Sequence, residues 1–498
     1  MIDFLKKLRE KKPIPKKRSQ AEDTGLKKRL KESYWIKFGI IFFTSLMLAY
    51  LISGISFPRD EKIEDLYKFF TLVLVIFSVQ GALQAYFWFC QKEFFLSNKK
   101  QFLLSTILLL TVFLQTILIR VPLFNQVSYT RYIFLGPFGI ILMTLFFGMR
   151  LSFLYSFVIA LFLGMIKGTI PDPVVIITVN AVTSAFSSIF MKDVRNRYQM
   201  TKAAIYTGIM TLFIVIIINS VVGIVDIMNL RDYMFGAFFT GFAGLVLFIF
   251  LYFFELMFRE VTDVSLLELS DLNHKLLKEL VLNAPGTYHH SITVANVAEA
   301  AAEAIGARSL LVRVMAYYHD IGKLLKPEYF SENEIGAKSM HGELSASMSS
   351  LIIISHVKNG IDTAKRYNLP RVIIDAIKEH HGTSLVYFFY KQAQKEAGNS
   401  DVIKEENFRY PGPKPQSKET AILSIADTIE AASRSLAEPS PSRIKGLVGE
   451  LINEKYLNGE LDECTLTFRE LKVIKDVIIR MLTARFHKRP VYPDKKNG

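Results

Sequence analysis

The sequence predicts an all-α protein: a polytopic helical membrane domain followed by a cytosolic all-α domain. Three observations predict it. Of 498 residues 51% are hydrophobic, and the excess is concentrated before about residue 258. Apolar runs recur there at a length that suits a bilayer, since a spanning helix needs about 20 mostly apolar residues. Beyond residue 287, amphipathic helical patterns follow one another with no competing set of alternating strands.

Residues 1–34 are expected to form a basic cytoplasmic tail, because residues 1–31 hold twelve Lys and Arg in runs such as KKLREKK and KKRSQ. Such a block is solvated, and beside a span it anchors the cytoplasmic side. The net charge of +14 does not imply a nucleic-acid polymer as partner, since the basic run has no interleaved aromatic residues for base stacking.

The membrane domain is expected over 35–258, with a lipid bilayer as its partner. Eight candidate spans, one plus seven, lie near 35–57, 69–90, 102–120, 132–149, 151–167, 173–191, 203–228 and 233–257. The first starts too late and runs too long for a cleaved signal peptide. With the N-terminus inside, the inner loops QKEFFLSNKK and MKDVRNRYQMTK carry three and four positive residues. The outer loops PRDEKIEDLYK, RVPLFNQVSYTR, KGTIPD and NLRD are poorer on average, as orientation by positive charge requires. An even number of spans returns the chain to the cytoplasm. This predicts a multi-pass protein of a bacterial-type plasma membrane with its N-terminus and soluble half cytoplasmic.

Two cysteines, Cys90 and Cys464, lie outside any C-x-x-C, which suits a reduced compartment and argues against a disulfide framework or thiolate zinc site. Few ionisable groups fall inside the spans. Asp226 sits near an end, and Asn180 and Asn219 are more central. That scarcity argues against an ion-coupled transporter and for an anchor and signal receiver.

Residues 259–283 are predicted as a linker helix. Val264, Leu266, Leu267, Leu269, Leu272, Leu276, Leu277 and Leu280 recur at roughly helical spacing up to the Ala284-Pro285-Gly286 breaker. His274 on it reads as a surface residue. The all-α domain follows over 284–498, with EENFRYPGPKPQSKE as a Pro-rich loop between two helices.

Seven of the nine histidines fall between 289 and 381. His319 and Asp320 end an apolar helix in YYHDIGKL, His290 opens its own helix, and His356 follows the apolar run LIIIS. His380 and His381 close an amphipathic helix in KEHHG, and Asp427 lies among small and apolar residues in LSIADTIEAA. Taken singly, His356 reads as a core histidine, the His pair as a polar helix end and Asp427 as a helix-interior hydrogen-bonding residue. A buried carboxylate is costly unless paired or metal-bound, and together the set favours a metal site. Two metals a few ångströms apart would hold a hydroxide and neutralise phosphodiester oxygens. A nitrogen- and carboxylate-rich site without thiolate suits iron or manganese, with zinc still open. Lys323, one turn beyond Asp320, is suited to a phosphate, and Tyr288, Arg409 and Tyr410 to stacking or phosphate contacts.

The segments HHSITVANVAEAAA, YYHDIGKL, IIISHVKNG, EHHG, FRYPGPKPQSKETAIL and SIADTIEAASRS resemble the HD superfamily of metal-dependent phosphohydrolases. With the preceding spans, the chain resembles the seven-transmembrane HD proteins of the PgpH type. The resemblance implies an HD-type fold for 284–498 and a cyclic di-AMP phosphodiesterase that forms linear pApA through a metal-bound hydroxide. It implies two divalent ions: His290, His319, Asp320 and Asp427 on one, and a bridging Asp320 with His356, His380 and His381 on the other. Asp320 and Lys323 would be catalytic, a cyclic dinucleotide the substrate, and a homodimer one assembly open to the chain. His341 stays outside the ligand set. Where such relatives carry a large extracellular domain after the first span, about eleven residues, Pro58 to Lys68, fill the gap here. Hydrolysis of cyclic di-GMP or another nucleotide, and a non-catalytic nucleotide-binding receptor, remain alternatives.

Overall fold

The computed structural model describes residues 33–54, 63–121, 127–166, 173–192, 194, 197–222, 230–258, 260–334, 340–397, 403–436 and 440–485. Most of the basic tail, Asp226 and much of the interhelical loops lie outside these residues. Among them the protein is all-α, and the one β feature is an isolated bridge between Leu385 and Arg409. The chain divides into two compact units, one ending at Phe258 and the other starting at Arg259.

The first unit comprises α1 (Tyr34–Ser53), α2 (Ile63–Cys90), a short α3 (Lys92–Leu96), α4 (Asn98–Arg120), α5 (Gly136–Phe147), α6 (Met149–Gly164), α7 (Pro173–Phe190), α8 (Arg197–Val222) and α9 (Leu230–Phe258). Helices α1, α4 and α7, with most of α2 and α8, are long and apolar enough to cross a bilayer, whereas α5 and α6 are shorter apolar helices. Large side chains such as Trp35, Phe89 and Phe238 point outward, an apolar surface that suits lipid rather than water.

The fourth predicted span, 132–149, is not one helix. A 3-10 turn, Ser128–Tyr132, leads into extended residues before α5 begins. Backbone N–H groups cannot stay unpaired in an apolar interior. Three side chains from different helices meet them: Phe134 N donates to Thr240 Oγ1 at 3.0 Å, Leu135 N to Gln115 Oε1 at 2.9 Å and Gly136 N to Asn180 Oδ1 at 3.0 Å. The central Asn180 therefore clasps backbone. Asn219 donates to the Val215 carbonyl of its own helix at 2.8 Å.

In the second unit, α10 (Asp263–Leu269) and α11 (Lys275–Asn283) replace the single helix predicted over 259–283. Short polar side chains break it. Asn273 N donates to Asp271 Oδ1 at 2.9 Å, and Leu276 N donates to Nδ1 of a half-buried His274 at 3.3 Å. These local bonds compete with the helical ladder, and His274 is a helix cap rather than a surface residue.

There follow α12 (Pro285–Ala304), α13 (Ser309–Tyr318), α14 (Ala346–Arg366), α15 (Arg371–Glu379), α16 (Tyr387–Ala397), α17 (Lys418–Arg434), α18 (Pro441–Leu457) and α19 (Phe468–Arg485). The core runs through Val294, Ala298, Val312, Met315, Ile373, Ile377, Ile422, Ile425 and Ile478. Helix α17 starts on a reciprocal Ser417–Thr420 capping box, and every residue from Thr420 to Asp427 is buried. Small alanines let α12, α13 and α18 approach it on several sides. Burial of Ile422, Ile425 and Ile429 contributes about 1.5–3 kcal/mol each.

The turn after α13 decides where the site forms. Asp320 leads into a 3-10 turn, Ile321–Leu325, that rests on α14. A Cβ on Gly322 would lie 1.9 Å from the His356 carbonyl oxygen and 2.5 Å from Gly360 N. Glycine there lets the backbone bearing Asp320 touch the helix bearing His356.

Candidate metal centre

Five elements deliver the clustered side chains. Pro285 at the first turn of α12 fixes the entry of that helix, and His290 follows in its second turn. His319 caps α13, with Asp320 next to it, and His356 projects from the middle of α14. His380 caps α15, whose buried Ile373, Ala376 and Ile377 form its apolar face, and left-handed Gly382 ends the segment just past His381. Asp427 comes from the middle of α17.

These side chains form two overlapping quartets. His290, His319, Asp320 and Asp427 make one, and Asp320, His356, His380 and His381 the other, with ligand atoms within 4.8 Å of one another in each. Asp320 belongs to both. Its Oδ2 lies 3.1 Å from His319 Nε2 and 3.6 Å from His290 Nε2, while Oδ1 lies 3.3 Å from His356 Nε2 and 3.8 Å from His380 Nε2. Asp427 meets His290 Nε2 at 3.0 Å through Oδ1 and His381 Nδ1 at 3.7 Å through Oδ2.

The outer nitrogens are already engaged. Nδ1 of His319, His356 and His380 donates to the carbonyls of Ala316, Ile353 and Ile377 at 2.8, 2.6 and 2.8 Å. His290 Nδ1 donates to Glu430 Oε2 at 2.6 Å. With the proton on Nδ1, each Nε2 presents a lone pair to the cluster, the arrangement a metal-binding imidazole needs. His356 Nε2 and His380 Nε2 then face each other at 3.4 Å as two acceptors, which a cation between them would reconcile. His319 Nε2 and Asp320 Oδ1 are buried without a hydrogen-bond partner. Orphaned acceptors aimed at one point fit a metal ion, and the set contains no sulfur ligand.

The electrostatics agree. Burial, then His319, holds His380 down to about 3, and burial, then His380, holds His381 well below the usual imidazole range. Burial also lowers His356. For His319 burial works the same way but is outweighed by Asp320 and Asp427, which raise it to about 10. Burial opposes ionisation of Asp320 and Asp427, yet neighbouring histidines, and Lys323 for Asp320, keep both carboxyls well below their ordinary value. The centre thus holds two carboxylates among imidazoles too crowded to be protonated together, an arrangement whose missing positive charge a divalent ion would supply.

The cluster floors a cavity of about 990 Å³, a size within the range of small-molecule sites. Lys323 Nζ lies 2.9 Å from Asp320 Oδ2 and 2.7 Å from Glu332 Oε1, at the cavity wall. Tyr410 also lines it, stacked on His381 at 4.2 Å between ring centroids. Hydrogen bonds Val386 N–Phe408 O and Tyr410 N–Ser384 O hold the Pro-rich loop there. Arg409 lines the cavity too, but its guanidinium is tied to Glu405 and to the Thr383 carbonyl. Half-buried Tyr288 packs against His289 and is not a cavity residue, and His341 bonds the Tyr329 carbonyl away from the cluster. Two residues not foreseen are Glu430, which fixes His290, and Glu332, which ties Lys323 to Thr287. Glu430 had a signal: it follows Asp427 by three residues, on the same helix face.

The fold and the clustered site define a class, a polytopic membrane protein carrying an HD-type hydrolase centre. Residues 287–432 match the HD domain family, and residues 66–262 match the family described as 7TM receptor with intracellular HD hydrolase. The two matches follow one another along the chain, the seven-transmembrane part first and the HD domain after it. It is 38% identical over 440 residues to Cyclic-di-AMP phosphodiesterase PgpH of Bacillus subtilis (strain 168), covering 86% of this chain and 61% of the relative. It is 40% identical over 324 residues to Cyclic-di-AMP phosphodiesterase PgpH of Listeria monocytogenes serotype 1/2a (strain 10403S), covering 64% of this chain and 44% of the relative. The chain thus spans about half to three-fifths of the length of these two relatives. The crystal structure of the L. monocytogenes PgpH HD domain in complex with cyclic-di-AMP is 46% identical, with a TM-score of 0.42. That match covers 44% of this chain and 100% of the other.

Proposed function

We propose that the chain is a membrane-anchored, metal-dependent phosphodiesterase that hydrolyses cyclic di-AMP to linear pApA. The observation that carries this reading is the pair of quartets joined at Asp320 on the floor of the cavity. The likeness to two cyclic-di-AMP phosphodiesterases supports the choice of substrate. His290, His319, Asp320 and Asp427 would hold one divalent ion, and Asp320, His356, His380 and His381 the other. Iron or manganese suits this donor set. When bound, such a pair supplies Lewis-acid stabilisation of a phosphodiester and a hydroxide nucleophile near neutral pH.

The chain's own residues do the rest. The backbone carbonyls of Ala316, Ile353 and Ile377 hold three imidazoles in one tautomer, so the ligand geometry needs no rearrangement during turnover. Lys323, steadied by Glu332, neutralises charge developing on the phosphoryl oxygens. Tyr410, beside His381, offers a face for a purine, and Arg409 orders the rim of the cavity. Residues 35–258 anchor the enzyme, 259–283 link it, and 284–498 form the hydrolase, which faces the cytoplasm with the basic tail. A homodimer is compatible with this arrangement.

The test uses the full chain in detergent, loaded with manganese or iron without oxygen, and follows cyclic di-AMP and cyclic di-GMP by chromatography. The expected result is conversion of cyclic di-AMP to pApA, with cyclic di-GMP consumed more slowly. No turnover of either, with metal shown to be bound, would overturn the proposal.

A further inference from the structure

Lys455 belongs to the wall that α17 and α18 give the cavity, beside Arg434, Glu454 and Asn458. It is a lysine at only 7% exposure. Among the described residues its Nζ has one hydrogen-bond partner, Ser424 Oγ at 3.0 Å, and no carboxylate at ion-pair distance. An ammonium carries three donors, so two are unmet, and an unpaired buried charge is costly. Several other charged groups around the cavity are committed. Lys323 is bound by Asp320 and Glu332, Arg434 by Glu430, and Arg409 by Glu405. Glu460 accepts from Thr383 N at 2.9 Å. Burial pushes the Lys455 pKa down, with Asp427 the first of the charges opposing it. The cavity therefore ends, away from Lys323, in a buried cation with no carboxylate at ion-pair distance, although Glu454 and Glu460 share the wall.

We infer that Lys455 binds the second, non-scissile phosphate of the cyclic dinucleotide, held in place by Ser424. The inference rests on the substrate reading above. A phosphate at the metal quartets already meets Lys323, and a cyclic dinucleotide brings one more negative charge across its ring. Ser424 precedes Asp427 by three residues in α17, so Lys455 is anchored about 4.5 Å along that helix from a metal-facing carboxylate, at 1.5 Å rise per residue. That offset separates two phosphate sites on one wall.

The test compares the manganese-loaded full chain with Lys455→Met on two substrates: cyclic di-AMP, and bis(p-nitrophenyl) phosphate, which has no second phosphate. The expected result is a KM for cyclic di-AMP raised roughly 10- to 100-fold, the usual effect of losing a hydrogen bond to a charged group. Metal content and the rate on bis(p-nitrophenyl) phosphate should change far less. Lys455→Gln, which keeps a donor without the charge, is expected to give the same ordering and covers poor folding of the Met variant. An unchanged KM, equal losses on both substrates, or loss of bound metal would overturn the inference. Wild-type turnover of bis(p-nitrophenyl) phosphate without turnover of cyclic di-AMP would instead overturn the substrate reading, and the inference with it.

Discussion

Asp320 has one oxygen toward His319 and His290 and the other toward His356 and His380. Removing it should therefore empty both quartets. Asp320→Ala is expected to bind little metal, whereas His380→Ala and His381→Ala should each lose one ion and keep the other. Elemental analysis of the purified variants reads this directly, and unchanged stoichiometry in the histidine variants would mean that the pair lies outside the ligand shell. Glu430 acts through His290 Nδ1 and is itself held by Arg434 at 2.9 Å and Arg485 at 3.0 Å. Glu430→Gln should weaken metal binding at that quartet by about 10- to 100-fold, the range for a group orienting a ligand, as measured by chelator competition. Equal affinity in the variant would assign Glu430 a purely structural place. The ligand candidates were legible in the sequence because imidazoles such as His356 stand out in apolar runs. Lys455 was not, because a charge on an amphipathic helix ordinarily faces water, and Glu430 had one sequence signal, its spacing from Asp427. Lys455 is buried by the packing of α18 on α17, and Glu430 by His290 of α12 and Arg485 of α19, which no local pattern reports.

At the scale of elements, helix ends do most of the positioning, and their capping is testable away from the centre. At the start of α19, Thr467 N donates to Glu470 Oε2 at 2.8 Å and Glu470 N donates back to Thr467 Oγ1 at 3.2 Å, while Lys418 Nζ donates to Glu470 Oε1 at 2.8 Å. Slight burial opposes ionisation of Glu470, but Lys418 and Thr467 outweigh it and lower its pKa from the ordinary 4.5. A carboxyl whose folded pKa is depressed binds fewer protons folded than unfolded. Its stabilisation is complete above the unfolded value and is lost as pH falls through the lower folded one. The Tm advantage of wild type over Glu470→Gln should therefore be constant at neutral pH and shrink as pH drops below about 4.5. A gap that stays constant into acid would contradict the charged cap. Elements were less legible than residues where side chains override periodicity. The leucine spacing predicts one linker helix, but Asp271 and His274 take backbone N–H groups and split it. The apolar run at 132–149 predicts one span, but Gln115, Thr240 and Asn180 stabilise an extended entry to α5. In both cases the deciding bonds compete with, or lie outside, the helix itself.

For the whole molecule, the proposed function assigns anchoring to the apolar helices of the first unit and chemistry to the histidine-lined cavity of the second. The all-α class was legible because long apolar runs and amphipathic periods are both helical signals; the cavity was not, since its walls come from segments far apart in the chain. Orientation by positive charge is testable in a Cys90→Ser, Cys464→Ser background carrying Ser442→Cys on the exposed start of α18. A membrane-impermeant maleimide should label it in everted vesicles and not in intact cells, and the reverse pattern would invert the topology. In the proposed centre Asp320 would hold two ions together. The most direct measurement is electron paramagnetic resonance of the full chain titrated with manganese. Two ions per chain with an exchange-coupled signal are predicted, and a single ion or an uncoupled spectrum at saturation would contradict the account.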